Sequence, residues 1–308
     1  MPQPTANENL PDYADRFQQG VALFHRAFGL PDLIGSPGPL PLDRVELRLS
    51  LIEEEGLHEM SEAIAASDEV AVADALVDTL YVALGALVEM GRPYVQDAPI
   101  VRRLTPRSLL DPARGMPGRV SNSVELLRLS MEASDADATA ERLSLIVSLV
   151  LRAFAEAGID IEPYFDEVQR ANTSKLGADG QPVRSRGPEL DGAPEGKVLK
   201  GPAYSPPDLV TVHVVQTGHT HELDRMSAVS EESQAIGAFI DTAGYTLAEW
   251  VSEYEGDDGR VYEYMNGPQL RPVGRAINTV LAEYFKIDLD RVETERRALL
   301  RLMAERRS

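Results

Sequence analysis

Apolar residues in the first part of the chain recur at helical spacing. In residues 13–30, Phe17, Val21, Phe24 and Phe28 share one face, which predicts a helix. The stretch PDLIGSPGPLPLD then breaks the pattern with prolines and glycines. Residues 43–67 predict a long helix with Asp43 as its N-cap. Residues 68–91 predict another, capped by Ser67 or Asp68 and stopped at Gly91. From Arg92 to about Ser121 the texture is that of a proline-containing loop. Helices are expected at 122–133 and 136–157, and over IEPYFDEVQRANTSKL. Residues 177–208, rich in Gly, Pro and Lys, are expected to form a long ordered or clamping loop.

After Pro207 the pattern changes. LVTVHVV has the clustered valines of a strand, while SEESQAIGAFIDTAG and the run from Ile277 onward are helical in pattern. This predicts an all-α main domain over 1–208, followed over 209–308 by a small accessory module, α+β or helical.

The second predicted helix, DEVAVADALVDTLYVALGALVEMG, is apolar on most sides and should be buried. Asp74, Asp78, Tyr81 and Gly85 nevertheless fall within an arc of roughly 60° on its wheel. Carboxylates so placed repel each other and lose solvation. A divalent cation offsets both costs, and Mg²⁺, with Mn²⁺ as an alternative, prefers carboxylate oxygen. The stretch LIEEEGLHEM, with Glu62 just beyond it, carries a second acidic stripe that can close the other side of such a site.

Bulk properties narrow the field. The 308 residues are 43% apolar and include no cysteine, which excludes disulfides and thiolate zinc sites. A net charge of −20 argues against direct nucleic-acid binding. No run approaches the roughly 18 apolar residues of a membrane span, and the N-terminus lacks the pattern of a secretory signal, so a cytoplasmic setting without membrane contact is expected. GxxxxGK[ST], GxGxxG and GxSxG are all absent, which removes P-loop, dinucleotide and nucleophile-elbow readings.

Four ordered blocks resemble the MazG-like, all-α nucleoside triphosphate pyrophosphohydrolases. They are RLSLIEEE…EMSEAI, VADALVDTLYVALGAL, FDEVQRANTSKL and GKVLKGPAYSPPDL. The resemblance covers about 13–208 and makes 92–135 look like an insertion. It implies an antiparallel helical bundle that hydrolyses an NTP or dNTP to the monophosphate and pyrophosphate, and a homodimer or higher homo-oligomer. Glu54, Glu55 and Asp78 match acidic positions, and Asn172 and Lys175 match a substrate-facing pair.

Two departures from the family pattern stand out. EExxE would place its third acid at His58, but counting back from EMSEAI places it at Glu59; one extra residue lies between, which predicts a π-bulge near Gly56. ExxD would need an acid at Ala75, where Asp74 stands one residue earlier as its substitute. The expected metal ligands are Glu55, Glu59, Asp74 and Asp78, with Glu54 placed to orient or deprotonate water. Lys175, and Lys197 or Lys200, would offset phosphate charge; Tyr81 would stack on a base or sit in the core.

Alternatives are a dUTP- or dCTP-type diphosphatase, or a catalytically silent nucleotide-binding or protein-binding member of the same fold. His213, His219 and His221 in HVVQTGHTH are expected to have loop or surface roles. The C-terminal module resembles a small module of phage-encoded proteins, through ESQAIGAFIDTAGYTLAEW and LAEYFKIDLDRVETERRALL.

Overall fold

The computed structural model describes residues 7–9, 13–103, 105, 107–186, 199–255, 260–264 and 266–305. It divides into two compact units, Met1–His219 and Thr220–Ser308. The boundary expected near 208 lies one helix upstream of this division.

The first unit is built around its most apolar helix. Helices α1 (Tyr13–Ala27) and α2 (Leu42–Glu53) come first. A π turn, Glu54–Glu59, links α2 to α3 (Met60–Ala66). Then comes α4, Glu69–Glu89. Leu76, Leu80, Leu84 and Leu87 of α4 are fully buried, each worth roughly 1.5–3 kcal/mol of transfer free energy. The central helix packs against α1, α2, the π turn, α7 (Ala136–Ala157) and α8 (Glu162–Thr173). Between α4 and α7 lie α5 (Leu110–Ala113) and α6 (Met116–Glu132). A short β1 (Asn7–Asn9) pairs antiparallel with β2 (Val101–Arg103).

Local chemistry sets the helix ends. Asp68 caps α4 by accepting from the N–H groups of Val70 and Ala71 at 3.0 and 3.2 Å. Past its other end, Gly91 has φ +65°, and a Cβ there would lie 2.1 Å from the Leu33 carbonyl oxygen. Asp43, expected as an N-cap, instead lies in the first turn of α2, whose cap position is Pro41. By length and composition α4 could cross a membrane, contrary to the sequence expectation, but 67% of its most apolar window is buried inside this bundle.

LVTVHVV is a helix, α9 (Leu209–Thr217), and not the expected strand. Asp208 caps it by accepting from the Thr211 N–H at 3.0 Å, and Gly218 at φ +74° ends it. Burial of Leu209, His213 and Val214 on one face overrides the strand preference of the valines.

The second unit combines helices α10 (His221–Ala228), α11 (Ser230–Ala243), α12 (Ile277–Tyr284) and α13 (Leu289–Glu305) with two antiparallel strand pairs. In one, β3 (Ala248–Val251) pairs with β6 (Gln269–Pro272); in the other, β4 (Glu253–Glu255) pairs with β5 (Val261–Glu263). The run expected to be helical from Ile277 onward breaks between α12 and α13, where Lys286 has φ +55°. Glu295 of α13, 1% exposed, accepts from the N–H groups of His221, Glu222 and Leu223, satisfying the start of α10. The protein thus has an all-α main domain and a small C-terminal module of helices and strand pairs.

Candidate active site

The site begins with a helix that accommodates one residue too many. Ile52 and Met60 are both fully buried, yet lie eight positions apart. In a regular α-helix that spacing turns them roughly 80° apart; absorbing one extra residue brings them to roughly 20°. The π turn at Glu54–Glu59 absorbs it. Gly56 permits the close packing this requires, since a Cβ there would sit 2.9 Å from Val120 Cγ1 of α6 and 3.3 Å from Thr79 Oγ1 of α4.

Glu55 and Glu59 from the π turn converge on Asp74 and Asp78 from α4. The Glu55 carboxyl is pushed up to about 8, first by burial, then by Asp78, Glu59 and Asp74. Asp78 is pushed up to about 7 by burial and by Asp74, against the pull of Lys175. Burial and Glu59 raise Asp74 to about 6. Glu59, exposed like its neighbour His58, therefore acts on all three other carboxyls. Ala75 is buried at 1%, so the acid of this turn that reaches the cluster is Asp74.

Two clefts meet this cluster. One, of about 410 Å³, is lined by Glu54, Glu59, Glu62, Asp68 and Asp74. The other, of about 340 Å³, is lined by Glu55, Asp78, Tyr81, Asn172 and Lys175, with Phe24, Leu47, Leu51 and Val82 as apolar wall. Lys175 Nζ donates to Asn172 Oδ1 at 2.6 Å. Burial lowers the Lys175 pKa while Asp78 raises it. The Tyr81 hydroxyl donates to Gln169 Oε1 at 2.8 Å, and its ring packs between Phe24 and Phe165. Tyr81 is 8% exposed, so it serves as both core and cleft wall. Lys200 is exposed, lies 4.7 Å over the Tyr204 ring, and is near enough to depress Lys175. Lys197 lies outside the described residues.

The donor set fits a hard divalent cation. All four acids offer carboxylate oxygen. Glu55 Oε2 is buried and has no hydrogen-bond partner, which is costly for a carboxylate unless a cation or proton meets it.

The far end of the 340 Å³ cleft is lined by His25, Arg44 and Arg48, which with Glu89 behind them are residues the sequence reading missed. Glu89, 1% exposed, accepts from Arg48 Nη2 at 2.9 Å and is also bound by Arg44. His25 Nδ1 lies 2.7 Å from the Pro31 carbonyl oxygen and its Nε2 lies 3.3 Å from Arg48 Nη2. Burial lowers the His25 pKa, so the neutral ring donates from Nδ1 and accepts at Nε2. A Cβ at Gly85 would stand 2.7 Å from Arg48 Nη1, so that glycine makes room for the guanidinium. Glu89 lies eleven residues after Asp78 and roughly 20° from it on the wheel, which was the available signal.

Residues 21–96 match the family model described as phosphoribosyl-ATP pyrophosphohydrolase. No curated protein and no solved structure matches the chain. The matched segment includes Glu55, Glu59, Asp74 and Asp78, but stops short of Asn172 and Lys175. Enzymes of that family hydrolyse phosphoric anhydrides and are typically metal-dependent. Over this segment the chain is similar to the phosphoribosyl-ATP pyrophosphohydrolases, a family of the MazG-like all-α nucleoside triphosphate pyrophosphohydrolase superfamily.

Proposed function

We propose that the protein is a Mg²⁺-dependent pyrophosphohydrolase of nucleoside or deoxynucleoside triphosphates, releasing the monophosphate and pyrophosphate. The observation that carries this reading is the convergence of Glu55, Glu59, Asp74 and Asp78, with Glu55 Oε2 buried and unpartnered and with Glu55 and Asp78 sharing a cleft with Lys175.

Glu55, Glu59, Asp74 and Asp78 would hold the ions. Bound there, Mg²⁺ or Mn²⁺ would neutralise phosphate charge and polarise the attacked phosphorus. Glu54, on the rim of the acidic cleft, orients the attacking water and accepts its proton as the bond between the α and β phosphates breaks. Lys175, steered by Asn172, offsets charge on the departing pyrophosphate. Phe24 and Tyr81 offer the apolar wall against which a base can lie. A homodimer belongs to the same proposal and is checked by sedimentation.

One observation favours a second substrate, because the matching family model is that of phosphoribosyl-ATP pyrophosphohydrolase. Pyrophosphate release from a panel of NTPs, dNTPs (dUTP and dCTP included) and phosphoribosyl-ATP separates the candidates. Binding without release from any of them would mark a silent nucleotide-binding protein and overturn the catalytic reading.

A further inference from the structure

One histidine of HVVQTGHTH, His213, does not keep to the surface. His213, on α9, is 3% exposed. Gly218 turns the chain at φ +74°, and His219 follows it. Both rings meet Glu69, the first residue of α4. Glu69 Oε2 lies 3.3 Å from His213 Nε2 and 3.5 Å from His219 Nδ1. The three ligand atoms lie within 4.8 Å of one another. His221 is not part of this group.

We propose that Glu69, His213 and His219 form a second metal site, specific for a Zn²⁺-class transition ion and distinct from the carboxylate cluster.

Three observations carry it. The first is spacing: ligands at roughly 2.0–2.1 Å in a tetrahedron stand roughly 3.3–3.4 Å apart, and the two distances to Glu69 are 3.3 and 3.5 Å. The second is an orphaned donor atom. His213 Nε2 is buried and faces Glu69 at 3.3 Å, with no other polar partner. The third is the group behind that ring. Tyr164 Oη, fully buried, lies 2.9 Å from His213 Nδ1. With an ion bound, this hydroxyl would accept from Nδ1–H and leave the Nε2 lone pair for the metal.

The donor chemistry separates this site from the carboxylate cluster. Two imidazoles and one carboxylate suit Zn²⁺, whereas Mg²⁺ prefers oxygen alone. Glu69, with its side chain 16% exposed, supplies the carboxylate oxygen of the set. His219, with its side chain 47% exposed, leaves the fourth position to water.

The test uses the full chain carrying Asp78→Asn to disable the carboxylate cluster, stripped with EDTA and titrated with Zn²⁺ by calorimetry and with Co²⁺ by visible absorption. The expected result is one equivalent of either ion and the intense band of tetrahedral Co²⁺. Adding His219→Ala, at a half-exposed position that leaves the circular dichroism of the stripped protein unchanged, should abolish both signals. Adding Tyr164→Phe should weaken Zn²⁺ binding about 10–100-fold while keeping the stoichiometry. No binding to the Asp78→Asn chain, or equal binding with and without His219, would overturn the site and leave the trio a metal-free cluster.

Discussion

Glu55 and Asp78 face each other across the junction of the π turn and α4, and after burial the Asp78 charge is the largest influence raising the Glu55 carboxyl. Two acids held this close, one with an unpartnered oxygen, form a poor structural pair and a good cation site. Glu55→Gln and Asp78→Asn should each lower the rate of pyrophosphate release by at least about a hundredfold, the loss of several kcal/mol of charge stabilisation. The helical circular dichroism should be retained. Near-normal turnover by either variant in Mg²⁺ would remove these residues from the site.

The same pair sets a pH dependence. Free carboxyls titrate near about 4, whereas in the metal-free fold Asp74, Asp78 and Glu55 titrate at about 6, 7 and 8. Glu59 faces them and adds to the rise, while Lys175 opposes it at Asp78. In that window the folded state holds more protons than the unfolded state, so stability falls as pH rises. In EDTA the melting temperature should drop between about pH 5 and 8. Mg²⁺ should flatten that slope, because the ion replaces the protons and releases them on binding. A flat metal-free profile would contradict the raised carboxyls.

Gly56 gives a test of the π turn. A Cβ there meets Val120 Cγ1 at 2.9 Å, so Gly56→Ala should cost about 1–3 kcal/mol by overpacking. Adding Val120→Ala should restore part of the melting temperature, since it removes the clashing methyl. Additive losses in the double variant would show that the strain lies elsewhere.

Glu89 is a buried carboxylate held by Arg44 and Arg48. Glu89→Ala leaves Arg48 without its partner and should cost about 3–5 kcal/mol in denaturant unfolding. A loss under about 1 kcal/mol, typical of an exposed pair, would mean that Arg48 finds solvent.

Much of this was readable from spacing. The π turn followed from two acidic blocks that agree only if one residue is extra, and the buried central helix from an apolar surface carrying two acids on one side. The arginines were not readable. Arg44 and Arg48 sit on an amphipathic helix where charge usually means solvent, and only the opening at Gly85 brings Arg48 inside. α9 was misread because its valines favour a strand in isolation, whereas Asp208 and Gly218 supply caps for a helix. His213 was missed because its partner, Glu69, stands far away in sequence on a different helix.

The shared use of cations by the four carboxylates is tested most directly by Mn²⁺ titration, with free Mn²⁺ followed by electron paramagnetic resonance, on the wild-type chain and on Asp78→Asn. The wild type should remove Mn²⁺ from solution, and the variant should lose most of that capacity while remaining folded. Equal uptake by the two proteins would contradict a site built from Glu55, Glu59, Asp74 and Asp78.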